Sequence, residues 1–190
     1  MDAGLVAADG YAELTKQFAG CTFENGLYRV HDSASGRAAH EAFRDGFPRY
    51  VGRALPFGFD WLGRQFALDQ ERIQDGEPLV LMLDPGTGET LEIPATFVDF
   101  HDGELVDYPD AALAKPFFEA WSVQNHSDLL PLAFTQCVGY RVPLFLGGRD
   151  VVSNLEVTDL DVYWSLCGQL RGQTARMPMG TPIKHVSGTE

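Results

Sequence analysis

The stretches LPFGFDWLGRQFALD (residues 55–69) and LVLMLDPGTGETLEIP (residues 79–94) decide the fold of this chain. Each combines a run of apolar residues typical of β-strands with the glycines and prolines that end strands. Together they predict an antiparallel meander of three strands over about residues 64–93. The other elements are placed around this meander.

The first two strands of the meander differ in the burial that their patterns predict. Gln65 and Ala67 alternate with Phe66 and Leu68, a period of two that indicates a strand with one buried face. Residues 79–83, LVLML, are apolar throughout, which is typical of a strand covered on both faces. We therefore expect helices to flank the sheet.

A turn separates the second and third strands. Pro85 presets φ near −65°, and Gly86 tolerates the positive φ that a type II turn requires at the next position. The third strand, residues 90–93, ends at Pro94, which has no N–H to donate to a neighbouring strand. The sequence thus predicts a hairpin over residues 79–93.

Helices and further strands are predicted on both sides of the meander. Periodicity and capping residues predict helices at residues 11–18, 37–45 (capped by Ser35), 108–121 and 159–173 (capped by Thr158). Pro116 interrupts the third of these and predicts a kink or a fresh start there. Short strands are predicted at residues 27–30, 138–146 and 182–186. The pattern predicts an α+β fold, a mostly antiparallel sheet flanked by helices, in one domain over residues 1–190.

The charge of the chain is strongly acidic and unevenly distributed. The net charge is −13, and residues 73–140 hold one lysine against twelve acidic residues, which gives −11 for that part alone. Such a surface is repelled by nucleic acid and by anionic membranes, and it attracts a basic protein. The alternative interpretation is that acidic residues simply keep the protein in solution.

The chain shows few signs of export or of cofactor binding. It has no run of about 18 apolar residues, which argues against a membrane-spanning helix, and its acidic N-terminus does not resemble a signal peptide. Cys21, Cys137 and Cys167 form no CxxC pair, as expected in a reducing compartment. We expect a cytoplasmic protein without a metal or another cofactor.

One cluster carries the residue types that catalysis or metal binding requires. Asp99, His101, Asp102 and Glu104 lie within six residues of one another in the stretch DFHDGELVDYPD. Carboxylates beside an imidazole suit a divalent metal or general acid–base chemistry. The glycine and proline in the same stretch favour a solvated acidic loop instead.

Several segments together resemble a known family. They are residues 27–30 (LYRV), 57–69 (FGFDWLGRQFALD), 84–94 (DPGTGETLEIP), 100–120 (FHDGELVDYPDAALAKPFFEA), 139–148 (GYRVPLFLGG), 154–169 (NLEVTDLDVYWSLCGQ) and 180–183 (GTPI). The series resembles the C-terminal domain of type VI secretion immunity proteins, which protect a bacterium from its own DNase effectors. It is similar, more loosely, to the SUKH-type immunity superfamily. The resemblance extends over about residues 25–186.

This resemblance implies a cytoplasmic, non-catalytic protein that binds a cognate toxin, a secreted effector nuclease, and neither nucleic acid nor membrane. We expect the acidic segment, residues 99–110, to form the contact surface. Its expected contact residues are Asp99, Asp102, Glu104, Asp107, Tyr108 and Asp110, with Tyr108 as an aromatic anchor. Two alternatives are a general protein-interaction module of the same fold and a metal-dependent enzyme that uses Asp99, His101 and Glu104. The oligomeric state is not specified by the sequence.

Overall fold

The computed structural model describes residues 3–125 and 129–174. Its centre is a six-stranded antiparallel sheet in the order β1-β2-β3-β4-β5-β6, so that each strand pairs with its neighbour along the chain. The strands are β1 (Thr22–Phe23), β2 (Tyr28–Val30), β3 (Ala54–Asp60), β4 (Gln65–Gln74), β5 (Glu77–Leu83) and β6 (Thr90–Glu92). The predicted meander is β4, β5 and β6, and the α+β prediction is confirmed.

Alternate residues of the central strands point to opposite faces of the sheet. Phe66, Leu68, Val80 and Met82 belong to one hydrophobic cluster, and Ala67, Leu81 and Leu83 belong to a second cluster. The prediction for residues 79–83 is therefore confirmed. The prediction that β4 has only one buried face is wrong, because Gln65 and Ala67 are also buried, at 1% and 0% exposure.

Two long helices cover one face, which we call the two-helix face. They are α3 (Ser33–Gly46) and α8 (Leu160–Thr174). Phe43 of α3 and Trp164 of α8 pack together in the second cluster. The helices meet at Gly168, where an added Cβ would lie 2.7 Å from Asp45 Cβ.

Short helices cover the opposite face, which we call the segmented face. They are α1 (Ala3–Ala7), α2 (Tyr11–Phe18), α4 (Phe97–Asp99), a π-helical turn (Phe100–Glu104), α5 (Leu105–Asp107), α6 (Pro109–Leu113) and α7 (Lys115–Gln124). Ala114, at φ 50°, separates α6 from α7, and Pro116 lies in the first turn of α7. Proline is tolerated there because that N–H has no helical partner, so the predicted fresh start is confirmed.

Two helix caps differ from the predictions. Asp32 caps α3 instead of Ser35, since its Oδ1 accepts hydrogen bonds from the N–H groups of Ala34 and Ser35 at 2.9 and 2.8 Å. Helix α8 begins at Leu160, and Asp159 Oδ1 accepts the Asp161 N–H at 3.0 Å where Thr158 was expected to cap. In both cases an aspartate carboxylate takes the capping position in place of a hydroxyl.

The turn before β6 also differs from the prediction. Gly86 does not adopt positive φ; Gly88 does, at φ 71°. Asp84 Oδ1 organises the turn by accepting the N–H groups of Gly86 and Thr87 at 2.7 and 3.2 Å. Gly86 is needed for space, because a Cβ there would lie 2.7 Å from the Tyr140 ring.

A second, two-stranded sheet is formed by β7 (Gln136–Tyr140) and β8 (Leu155–Asp159). The predicted strand over residues 138–146 is too long, since pairing ends at Tyr140 and residues Leu144–Leu146 form a 3₁₀ turn. The predicted strand at residues 182–186 lies outside the described residues. Within residues 3–125 and 129–174, no helix is long and apolar enough to cross a membrane.

Candidate partner-binding surface

The acidic segment follows a capped helix start on the segmented face. Thr96 Oγ1 accepts the Asp99 N–H at 3.2 Å and donates to Asp99 Oδ2 at 2.7 Å. The rings of Phe97 and Phe100 are buried against Phe57, with centroids 5.1 and 5.8 Å apart. These two rings fix the start of the segment on the sheet and leave its carboxylates outside.

The segment contains an irregular turn. At its centre the Leu105 N–H bonds to the Phe100 carbonyl, five residues earlier instead of four. Single π-helical turns of this kind are rare, and many of them lie at functional sites. The turn therefore marks the predicted contact segment as unusual in its backbone as well as in its charge.

The structure places all six predicted contact residues on this one helical segment. Asp99, Asp102, Asp107 and Asp110 are exposed, Tyr108 is exposed over 62% of its surface, and Glu104 is half-buried. They are therefore accessible to a partner. Their use by a partner stays a prediction.

His101 is not available to act with these carboxylates. Its Nδ1–H donates to the Phe97 carbonyl at 2.8 Å, so its Nε2 accepts from the Tyr28 hydroxyl at 3.0 Å. Burial lowers the pKa of His101 and outweighs the nearby charge of Asp102, which favours this neutral form. In the described part of the chain, no group of three or more His, Cys, Asp or Glu side chains is arranged to hold a metal ion.

The cysteine thiols and the indole rings of two tryptophans have structural roles. The three cysteines are free thiols, and burial raises the pKa of Cys167 to about 12. Trp61 and Trp164 are buried and donate their indole N–H groups to backbone carbonyls of Leu113 and Gly63. These two tryptophans thus belong to the core.

A groove of about 350 Å³ lies directly beside the acidic segment. It runs between α2, the β1–β2 edge of the sheet and the helical turns that carry the acidic residues. Its lining residues are Leu14, Phe18, Phe23, Glu24, Leu27, Tyr28, Val30, His101, Asp102, Leu105, Val106 and Leu113. The sequence interpretation missed this groove, because its walls come from segments about 80 residues apart. The only available signal was the pair Phe18 and Phe23, aromatic residues on either side of a loop.

The floor of the groove is held by the hydrogen bond between Tyr28 and His101. Gly58 makes that bond sterically feasible, because a Cβ at residue 58 would lie 2.9 Å from Tyr28 Cζ. The Tyr28 ring also packs on Phe66, with centroids 6.0 Å apart. The floor is thus part of the core and is formed before any partner binds.

Comparisons with known proteins agree with this picture in fold and family. The solved structure of Atu4351 from Agrobacterium tumefaciens matches with a TM-score of 0.61 at 16% identity, over 89% of this chain and 81% of that chain. At such low identity the likeness shows the fold alone. No curated protein matches the sequence significantly.

A family model described as T6SS immunity protein Tdi1, C-terminal, matches residues 112–171, from the end of α6 into α8. The acidic segment precedes this match. The looser similarity to the SUKH-type superfamily is not confirmed. The resemblance to the type VI secretion immunity family is confirmed by this match, in which residues 112–171 are similar to the C-terminal domain of that family.

Proposed function

We propose that this protein is a non-catalytic immunity protein that binds and neutralises a cognate toxin, a secreted effector nuclease, in the cytoplasm of the producing cell. The observation that carries the proposal is the match of residues 112–171 to the immunity-protein model. The proposal takes the chain as one functional domain. Two hydrophobic clusters on one shared sheet, with contributions from both ends of the described chain, support that view.

The proposed contact surface is the acidic segment. Its carboxylates are exposed except for that of the half-buried Glu104, and residues 73–140 carry a net charge of −11. A nuclease that binds DNA needs a basic surface, and opposite charges accelerate the encounter of two proteins. An acidic surface of this kind would therefore capture such a toxin quickly and compete with its nucleic acid substrate.

The proposal of a binding role, without catalysis, is supported by the position of His101. The alternative enzyme needs Asp99, His101 and Glu104 to act together, and both ring nitrogens of His101 are already hydrogen-bonded inside the protein. Asp99 is engaged with Thr96 at the helix start. The carboxylates thus face solvent on a helical surface, which suits the capture of a charged partner.

The first test is a pull-down of the tagged protein from its native host, followed by co-expression of the captured partner in an indicator strain. We expect one stoichiometric partner with a basic toxin domain, and growth arrest by that domain that this protein relieves. Capture of a housekeeping protein, without protection against any toxin, would favour the general interaction module and reject the immunity proposal.

The second test reverses charge on the acidic segment. The triple variant Asp102→Lys, Glu104→Lys and Asp107→Lys should slow association with the captured toxin domain at least tenfold at low salt and weaken its salt dependence. The control variant Glu41→Lys, Asp75→Lys and Glu89→Lys changes the total charge equally at exposed positions elsewhere. Equal association rates for the two triple variants would contradict the acidic contact surface.

A further inference from the structure

We propose that the groove between α2, the β1–β2 edge and the acidic segment receives apolar side chains from a basic segment of the toxin. This inference rests on the proposed function and adds to it the second half of the contact. The acidic segment would attract the toxin, and the groove would hold it.

Three apolar side chains in the walls of the groove are exposed to solvent. Val106 is exposed over 67% of its surface, Phe18 over 39% and Phe23 over 36%, and all three line the groove. The rings of Phe18 and Phe23 pack edge to face, with centroids 5.5 Å apart. Apolar residues gathered around a concavity, beside a polar rim, are typical of a protein interaction site.

The charge at the rim of the groove selects a basic occupant. Asp102 and Glu24, which come from separate segments of the chain, both line the groove. Glu24 is paired with Lys115 at 2.8 Å, whereas the Asp102 carboxylate has no hydrogen-bond partner among the described residues. Because Asp107 and Asp110 are exposed on the same segment, a lysine or arginine of the occupant would find carboxylates next to the apolar walls.

The groove is formed in advance, which lowers the cost of binding. Its floor is fixed by the Tyr28–His101 hydrogen bond, and its acidic wall is fixed by the buried Phe97 and Phe100. Binding to such a surface orders few side chains, so that less of the free energy gained from apolar contact is lost to side-chain ordering. Loss of the apolar walls should therefore accelerate dissociation and leave association nearly unchanged.

The test measures the kinetics of binding to the purified toxin domain captured in the pull-down. Val106→Asn replaces an exposed valine with a neutral side chain of similar size, so the charge at the rim stays the same. We expect dissociation at least tenfold faster for Val106→Asn and at least a hundredfold faster when Phe18→Ser is added, with association within twofold. Val162→Asn, at a valine with 59% exposure on α8, is the matched control and should change neither rate.

The outcomes separate this inference from the proposed function. Faster dissociation of the groove variants, with the control unchanged, supports the groove as the docking site. Normal binding by the wild type together with unchanged dissociation of the double variant overturns the groove and leaves the immunity function standing. Absence of toxin binding by the wild type overturns both. Self-association of the unbound wild type that Val106→Asn abolishes would assign the groove to a second copy and overturn the inference.

Discussion

The two faces of the central sheet are covered in different ways. On the two-helix face, α3 and α8 are unbroken helices of 14 and 15 residues. On the segmented face, the helices between Phe97 and Gln124 have three to ten residues each and include a π-helical turn. One sheet thus supports a regular cover on one side and an irregular cover, with the groove and the acidic segment, on the other.

The two faces also differ in the hydrogen bonding of their buried charged side chains. On the two-helix face, Arg29 and His31 are buried against the ring of Phe59, at 5.1 and 4.9 Å from its centroid. None of the three guanidinium nitrogens of Arg29 has a hydrogen-bond partner in the described part of the chain, and burial lowers the pKa of Arg29 to about 10. On the segmented face, the buried Asp60 is instead paired with Arg64, which also donates to a backbone carbonyl of α6. Both faces thus bury charged groups in the core, and the segmented face in addition exposes most of the carboxylates of the acidic segment.

The largest expected effect on stability comes from the two-helix face. Trp164 is buried against Phe43 and Phe47 and donates its indole N–H to the Gly63 carbonyl at 2.8 Å. Trp164→Ala should lower the free energy of unfolding by about 3–5 kcal/mol, through lost packing and a carbonyl left without its donor. Urea unfolding measures this change. Leu166→Ala, at a half-exposed position of the same helix, should cost less than about 1 kcal/mol; equal losses would contradict the assignment.

A smaller effect, which depends on pH, is expected from His31. Its Nε2–H donates to Gln65 Oε1 at 2.7 Å, and burial lowers its pKa to about 4, against the opposing effects of Gln65 and Asp32. Between pH 6.5 and 4 the unfolded chain therefore binds a proton that the folded chain does not. The free energy of unfolding should fall by about 2 kcal/mol from pH 7.5 to pH 5 through this group.

The variant His31→Gln separates this contribution from that of other groups. It should be less stable than the wild type at pH 7.5, and its stability should fall less steeply toward pH 5. His101, whose pKa burial also lowers, adds a loss of the same sign and remains in the variant. Parallel stability curves for the wild type and His31→Gln in urea unfolding at pH 7.5, 6 and 5 would refute the role of His31.

The main elements of the fold could be predicted because they depend on short-range patterns. The run at residues 79–83 and the prolines at positions 94 and 116 act within a few residues, and the structure agrees with each. The burial of β4 on both faces could not be predicted, because it depends on α3 and α8, which lie far from it in sequence. A β-bulge between Pro56 and Gly58 also escaped prediction; it makes Phe57 an extra residue, so that Phe57 and Phe59 join different clusters.

The candidate site could be predicted only in part, for the same reason. The exposed carboxylates of the acidic segment lie close together in the chain, at Asp99, Asp102, Asp107 and Asp110. Residues that are clustered in the sequence are therefore also clustered on the surface. The groove needs Phe18, Tyr28 and Val106 to meet, and no local pattern joins them. The sequence left a catalytic role open for His101, because its neighbours in the chain are acidic. In the structure, its hydrogen-bond partners are Tyr28 and Phe97.

The smallest expected effect tests whether the segmented face is locally independent of the two-helix face. Thr96→Ala removes the hydroxyl that caps the acidic segment, and we expect a loss of about 1 kcal/mol in the free energy of unfolding. Thr96→Ser keeps the hydroxyl and should restore most of it. If the segment opens separately, hydrogen exchange at residues 99–102 should accelerate in Thr96→Ala while amides of α3 and α8 keep their relative protection. Equal acceleration in all three regions would show that the two faces open together, and that the acidic segment is as much a part of the cooperative core as the helices opposite.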